Sequence, residues 1–362
     1  MSRQNHRARN KRRAAWTLGI AALGGGLALR RRLRSNRIEQ RAVPGLSADV
    51  TIDLDRYGIP TIAGETRADV IRALGFVTAR DRLFQMDLLR RMTAGRLSEV
   101  MGQPTVELDT EQRIKGFERA AQAILEQLPQ DQVALLQAYA DGVNAYLDRM
   151  KLPPLECVAL RYRPERWRVT DSILVCLYMF QSLTEDEILR ERSLSIMHQA
   201  LPPEVVAFLT PDADPYTTPL VGGSESRRPQ QPIPADALAS LVQQTTPGDQ
   251  PVPIEQAGIK GSNGWVVAGS KTRSGAAMLA NDLHLALSVP NVWYRASLRY
   301  GATTIAGLVL PGCPLIIAGS NTSVAWGFTN ACSDVIDLVR LELDPDDATR
   351  YRTAQGWRSF EV

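Results

Sequence analysis

Gly261-Ser262-Asn263-Gly264-Trp265-Val266-Val267 opens a strand-like run directly after a long segment rich in proline and glutamine. Ser262 is its informative residue. Cleavage between Gly261 and Ser262 would make Ser262 a new N-terminus, and such a serine would carry its own base, an α-amine with a pKa of roughly 7.7–8.0. That amine takes the hydroxyl proton without a histidine. Glycine before the serine tolerates strained backbone angles and leaves room for attack on its carbonyl. The chain has only three histidines (His6, His198 and His284), and His6 lies in a basic arm. A serine-histidine triad or a histidine-rich metal cluster is hard to assemble from so few. A nucleophile that uses its own amine fits that scarcity.

On either side of this stretch the composition changes. Upstream, residues 219–261 hold seven prolines, many Gln, Ser and Gly, and few aromatics. Such a run cannot bury enough surface to offset its ordering entropy. It reads as a linker, with one short helix expected over 237–242. Downstream the chain turns strand-rich. Trp265 to Ala268, Ala277 to Ala280 and Thr303 to Leu310 read as buried strands between Gly and Asn turns. Val335 to Leu343 reads as another, with Val335, Asp337, Val339 and Leu341 on one face.

The first half is mostly helical. Residues 49–62 read as an extended pair, because Val50, Ile52 and Leu54 alternate with polar residues and Tyr57-Gly58 supplies a turn. Thr66 then caps a helix, with Asp69 as its capping-box partner. The expected apolar stripe is Val70, Leu74, Val77, Phe84 and Leu88, which puts Asp81 on the inward face. A buried charge needs a partner, so an ion pair with Arg80, Arg82 or a distant arginine is expected to pin this helix to the sheet. Helical spacing continues from Glu107 to Met150, breaks at Pro153-Pro154, and resumes from Ile173 to about Met197.

Residues 1–39 form a separate region: basic residues to Arg13, an apolar run over 14–29, then Arg30-Arg31-Arg32-Leu33-Arg34. This is the pattern of an export signal or membrane anchor, and membrane contact is expected through residues 14–29. The chain's net charge of +3 comes from this arm, since residues 1–37 carry eleven Lys and Arg and no acid. The remainder is mildly acidic, so nothing in the charge calls for nucleic acid. Cys157, Cys176, Cys313 and Cys332 are widely spaced and read as neither a zinc site nor a disulfide framework. A chain of 362 residues with 44% hydrophobic content is long enough for sizeable cores.

Specific motifs then carry a resemblance. Ser262 to Val267, Leu279-Ala280-Asn281-Asp282-Leu283-His284-Leu285, Leu310-Pro311-Gly312 and Trp326-Gly327-Phe328-Thr329-Asn330 follow one another as in the β chain of the penicillin acylase family of N-terminal-nucleophile hydrolases. Upstream, Asp55-Arg56-Tyr57-Gly58-Ile59-Pro60, Ala79-Arg80-Asp81-Arg82-Leu83-Phe84-Gln85-Met86 and Gly95-Arg96-Leu97-Ser98-Glu99 resemble that family's α chain. Leu283 departs from the proline usual there. The resemblance covers roughly residues 45 to 362.

The resemblance implies an α+β fold, the four-layer αββα sandwich of these hydrolases, incomplete here. Its organisation would be an α-chain region over 40–218, a linker propeptide over 219–261 and the start of a β chain over 262–362. The implied function is a precursor that self-cleaves at Gly261–Ser262 into an α/β heterodimer and hydrolyses the amide of an N-acyl small molecule through an acyl-enzyme on Ser262. Candidate substrates are a β-lactam side-chain amide, an acyl-homoserine lactone or another acyl amide. The backbone N–H of Asn330 is the implied oxyanion donor, and His284 the residue facing the nucleophile. Asp334 and Asp337, with the carbonyl of Ile336 between them, match ligands of a structural Ca2+, and Glu187 matches an α-chain ligand less closely, with Glu185 as a rival. No organic cofactor is implied. The chain stops in a strand-like run, Gly356 to Val362, and is expected to be a fragment, inactive alone, of a membrane-anchored or exported protein. The rival expectation is a non-catalytic or truncated membrane-tethered relative.

Overall fold

The computed structural model describes residues 43–211, 231–244, 261–285, 287–331 and 335–360. Residues 1–45 form one unit, of which only 43–45 are described, and residues 46–362 form the other. The expected signal or anchor segment therefore lies outside the described residues. Among them, no helix is long and apolar enough to cross a membrane.

Helices come first and strands later, as an α+β chain requires. After the hairpin β1 (Thr51–Leu54) and β2 (Pro60–Gly64) come α1 (Arg67–Ala94), α2 (Ser98–Met101), α3 (Val106–Lys115), α4 (Phe117–Gln127) and α5 (Gln130–Leu147). The helices α6 (Leu155–Ala159), α7 (Val169–Ala200) and α8 (Pro203–Leu209) follow, and α9 (Ala235–Gln244) contains the expected short helix. Then come β3 (Gly261–Val267), β4 (Met278–His284), β5 (Tyr294–Tyr300), β6 (Thr303–Val309), β7 (Ile316–Ser320), β8 (Ala325–Trp326), β9 (Arg350–Thr353) and β10 (Gly356–Ser359).

The main sheet has the order β1-β2-β5-β6-β7-β8. Its pairs are antiparallel except for one: β2 runs parallel to β5, with Thr61 opposite Ser297 and Gly64 opposite Tyr300. The sheet thus draws strands from both sides of Gly261–Ser262. Along β5, Tyr294, Ala296 and Leu298 are buried and the residues between are not, the period-two signature of a sheet with one covered face. Helix α1 lies on that face beside β2 and β5, with Val70, Leu74 and Val77 fully buried. Each such side chain contributes about 1.5–3 kcal/mol by leaving water.

Local chemistry explains the start of this unit. Asp55 closes the hairpin, its Oδ1 accepting the backbone N–H of Tyr57 (2.8 Å) and Ile59 (2.9 Å). Thr66 caps α1 by accepting the Asp69 N–H at 3.1 Å. Asp69 does not complete the box with the Thr66 backbone. Its carboxylate instead takes the Ser47 N–H and hydroxyl and the Thr66 hydroxyl. Burial alone would raise its pKa, but these bonds and the charge of Arg72 outweigh that, and Asp69 stays below the usual carboxylate range.

Helices α1 and α5 approach unusually closely. A Cβ placed on Gly142 would lie 1.8 Å from the carbonyl oxygen of Arg72, and one on Gly75 would lie 2.2 Å from that of Tyr139. Only glycine fits at either crossing point. Tyr139 is fully buried. Its hydroxyl meets Thr78 of α1 at 2.7 Å and accepts the Gly312 N–H at 2.9 Å. One phenol therefore ties both helices to the turn after β6, and burial pushes its pKa well up. In that turn Cys313 lies 3.1 Å, sulfur to sulfur, from Cys176 of α7.

A buried ionic cluster joins α1 to α7. Asp87, Arg90, Arg91 and Asp171 are nearly inaccessible. All five Arg90 N–H groups are used: Nε and Nη2 on Asp87, Nη1 on Asp171 (2.6 Å) and the Arg166 carbonyl, and Nη2 also on the Glu165 carbonyl. Arg91 donates to Asp87 and Glu99. Charges this deep are tolerated only when hydrogen-bonded throughout.

Three expectations need correction. First, Asp81 does not face inward. Arg82 has non-helical angles (φ −139, ψ 17), and this kink rotates the buried face of α1 so that Leu83, Met86 and Leu89 are buried, while Phe84 and Leu88 are only half-buried. Asp81 sits at the exposed edge, paired with Arg80 at 2.9 Å. It does still pin helix to sheet, because Tyr294 of β5 donates its hydroxyl to Asp81 at 2.9 Å. Second, β3 and β4 are strands but are not buried: Trp265, Val266 and Met278 are all more than half exposed. Among the described residues they pair only with each other. Third, Val335 to Leu343 forms no strand. Only Leu343 makes a bridge, to Tyr351. A strand needs a partner for its backbone groups, and alternation in sequence does not supply one.

Candidate active site

The β3–β4 ladder sets the site's register. Gly261 stands opposite His284, Ser262 opposite Leu283, Asn263 opposite Asp282 and Gly264 opposite Asn281. The Ser262 hydroxyl donates to the carbonyl oxygen of Gly261 at 2.7 Å, so the hydroxyl lies against the peptide bond whose opening would free the Ser262 amine. Both residues are half-buried.

His284 stands over the same bond. Its Nε2 lies 3.0 Å from Asp282 Oδ2 and 3.3 Å from Asn263 Nδ2. A carboxylate only accepts hydrogen bonds and a carboxamide nitrogen only donates them, so the two contacts ask opposite roles of Nε2. Nδ1 faces Gly261: a Cβ built on Gly261 would be 3.4 Å from it. The imidazole is thereby set beside the residue that precedes Ser262.

Asn330 ends the segment after β8. Its side chain donates to the Leu183 carbonyl of α7 at 3.4 Å. Three residues earlier, Gly327-Phe328 is held against β3 and β4 by Asn281. The Asn281 Oδ1 accepts the Phe328 N–H (3.2 Å), and its Nδ2 donates to the carbonyls of Phe328 and Asn263, each at 3.1 Å. The segment carrying Asn330 is thus fastened beside the strand carrying Ser262. Asn281 and Asp282 were visible in the sequence only as parts of a motif. Their roles depend on the β3–β4 register, which pairs them with Gly264 and Asn263.

The metal expectation is less well supported. Glu187 is paired with Arg190 at 3.4 Å, Asp337 is exposed and Ile336 half-buried, and Asp334 lies outside the described residues. Glu185, the rival ligand, is bound to Lys115 at 2.8 Å. Among the described residues no three His, Cys, Asp or Glu side chains come together as a metal site. The described donors do not by themselves make a calcium cradle.

With this geometry in place, comparison with known proteins defines the class. The family model for penicillin amidase matches residues 49–362, and the chain belongs to that family. It is 32% identical over 316 residues to an acyl-homoserine lactone acylase, QuiP, of Pseudomonas aeruginosa, a match covering 87% of this chain and 37% of that protein. It is 33% identical over 328 residues to the penicillin acylase 2 proenzyme of Pseudomonas sp. strain SE83, covering 88% of this chain and 40% of that one. A solved structure, a thermostable penicillin G acylase from Alcaligenes faecalis, aligns with 49% of this chain and 99% of its own at 26% identity and a TM-score of 0.42. The chain spans well under half the length of the two curated relatives.

Proposed function

We propose that this chain carries the nucleophile of an N-acyl amidohydrolase and exposes it by cutting its own backbone at Gly261–Ser262. The observation that carries this is the Ser262 hydroxyl resting on the Gly261 carbonyl, with the Nδ1 face of His284 beside it. In the first step Ser262 Oγ attacks the Gly261 carbonyl carbon. The carbon–nitrogen bond breaks as the nitrogen takes up the hydroxyl proton, leaving Gly261 as an ester on Ser262. Water hydrolyses the ester, giving a Gly261 carboxylate and a Ser262 with free hydroxyl and free amine. His284 is positioned to hold the proton in transit.

In turnover the new amine takes the hydroxyl proton while Oγ attacks the substrate's acyl carbon. The oxyanion is met by the N–H of Asn330; removal of one such donor costs about 2.7–4 kcal/mol in a measured case. The amine product leaves with the proton, and water releases the acid. Family membership and the names of the two relatives support an N-acyl substrate, either an acyl-homoserine lactone or a penicillin. The same membership supports an α/β heterodimer, loss of the 219–261 linker, and the layered αββα sandwich. Structural calcium on Glu187, Asp334, Asp337 and the Ile336 carbonyl is part of the proposal and rests on the match of these positions to the family's ligands, of a type that suits a hard cation; a melting temperature indifferent to calcium and to chelator rejects it. Export or anchoring through residues 14–29 is likewise proposed, and cell fractionation tests it.

Intact mass and N-terminal sequencing of the protein expressed from its intact gene decide the central claim. A chain beginning at Ser262 is expected, together with release of homoserine lactone or 6-aminopenicillanic acid from the acylated compounds. Ser262→Ala is expected to stay uncut and inert. An acylase activity that survives in this variant would falsify the mechanism.

A further inference from the structure

We propose that Asn281 is the positioning residue that sets the oxyanion-donor segment against the nucleophile strand, an inference that rests on the reaction assigned to Ser262. Its carboxamide treats Phe328 as a neighbouring strand would, accepting the N–H and donating to the carbonyl of the same residue. The second N–H of that amide reaches back to the carbonyl of Asn263, the residue after the nucleophile. One side chain on β4 thus bonds both segments that the reaction must hold in register. The same device occurs in the protein's interior, where Asn144 bonds both backbone groups of Trp167 at 2.8 and 2.9 Å.

The sequence is shaped to admit this contact. A Cβ at Gly327 would sit 2.7 Å from Cβ, Cγ and Oδ1 of Asn281, so only glycine lets the amide lie against the backbone there. Gly264 also lies beneath it, with a built Cβ 3.9 Å from the Thr329 methyl and 4.0 Å from Asn281 Nδ2. Asn330 follows Thr329 directly. Its N–H can therefore be aimed only as well as the Gly327–Thr329 stretch is held, and the Asn330 side chain is tied separately, to α7.

A donor that acts on the developing oxyanion affects kcat, because it strengthens in the transition state. Misplacement by about 1 Å costs on the order of 100-fold. The test uses the protein expressed from its intact gene, with active sites counted by a serine-reactive sulfonyl fluoride. Asn281→Ala is expected to slow cutting at Gly261–Ser262 and to lower kcat per titrated site by roughly 10- to 100-fold, with KM within about threefold. Asn281→Asp keeps the volume and the acceptor for the Phe328 N–H but removes both donors, and is expected to fold and show the same kcat loss. A role in folding alone would lower the melting temperature and the number of titratable sites, leaving kcat per site at the wild-type value; that result overturns the proposal, as does failure of both variants to fold. An inert wild type removes the reaction assigned to Ser262 and this proposal with it, whereas an active wild type with an unimpaired Asn281→Ala removes this proposal alone.

Discussion

Replacing Gly142 by alanine puts a methyl carbon where the Arg72 carbonyl already stands. The built Cβ is 1.8 Å from that oxygen, 2.8 Å from its carbon and 3.0 Å from the Phe76 nitrogen. Contacts under 3.0 Å are essentially never seen for a real Cβ, so α1 and α5 must part by the difference between 3.0 and 1.8 Å along that line. Both obstructing groups are backbone, so no side chain can swing aside. A gap of 0.5–1 Å forfeits a quarter to a half of each van der Waals well along the seam, and the seam contains Leu74, Val77, Tyr139 and Val143, all fully buried. The expected cost is about 3 kcal/mol, the upper end of the usual range for overpacking. For a unit spanning residues 46–362, at about 2.1 cal/mol/K of unfolding entropy per residue, that is a fall in Tm of roughly 4–5 °C. Circular dichroism melts of wild type and variant at one scan rate measure it. Gly75→Ala, built 2.2 Å from the Tyr139 carbonyl oxygen, should cost a similar amount. The double variant should cost less than the sum, because helices already parted admit the second methyl more easily. A Gly142→Ala melt within about 2 °C of wild type, or strictly additive costs, would refute the close crossing.

Asp87→Ala strips the shared carboxylate from Arg90 and Arg91 and leaves two buried guanidinium groups under-compensated; a loss of about 3–5 kcal/mol is expected in urea unfolding, and a loss under 1 kcal/mol would mean the cluster is wetter than it looks. Tyr139→Phe removes the acceptor of the Gly312 N–H while Thr78 keeps its bond to the Leu74 carbonyl, so the cost should be about 1–3 kcal/mol, read from the same melts. For pH, Asp69 and Asp109 are buried, which would raise them, yet hydrogen bonds from Ser47 and from Ser98 and Leu97 hold both below their ordinary value of 3.8, and Arg96 holds Glu99 below 4.5. Near pH 4 the folded protein therefore binds fewer protons than the unfolded chain, and stability falls as the medium becomes more acidic. Tm should be level from pH 7 to about 5 and decline below about 4; a flat profile to pH 3 would contradict the depressed carboxylates.

What the sequence disclosed was whatever local chemistry decides. Thr66 caps its helix with its own hydroxyl and Asp55 closes the hairpin onto its own backbone, so helix and hairpin stood where expected, although Asp69 turned to Ser47 and not to the Thr66 backbone. The buried face of α1 was legible up to the kink at Arg82 and lost beyond it, since a periodicity presumes an unbroken helix. Exposure at Trp265 and Val266 was illegible for another reason: alternation shows which residues share a face, and not whether anything lies upon it. At the site, Gly261, Ser262 and His284 lie on paired strands and could be named from a motif. Asn281 acquires a role only through Phe328, far along the chain.

The parallel pairing of β2 with β5 has a kinetic consequence. Thr61 and Ser297 are joined across the entire helical region and the linker, a closure that comes late in folding because its loop entropy is lost before any contact compensates. While the backbone is continuous, that closure is intramolecular. Once the backbone is severed, the same strands must find each other as separate molecules. A scission that waits for the finished sheet leaves two polypeptides already zipped together; one that runs ahead of it leaves two halves diluted into solution. Under the cut proposed at Gly261–Ser262, the timing of scission would become part of the folding programme itself.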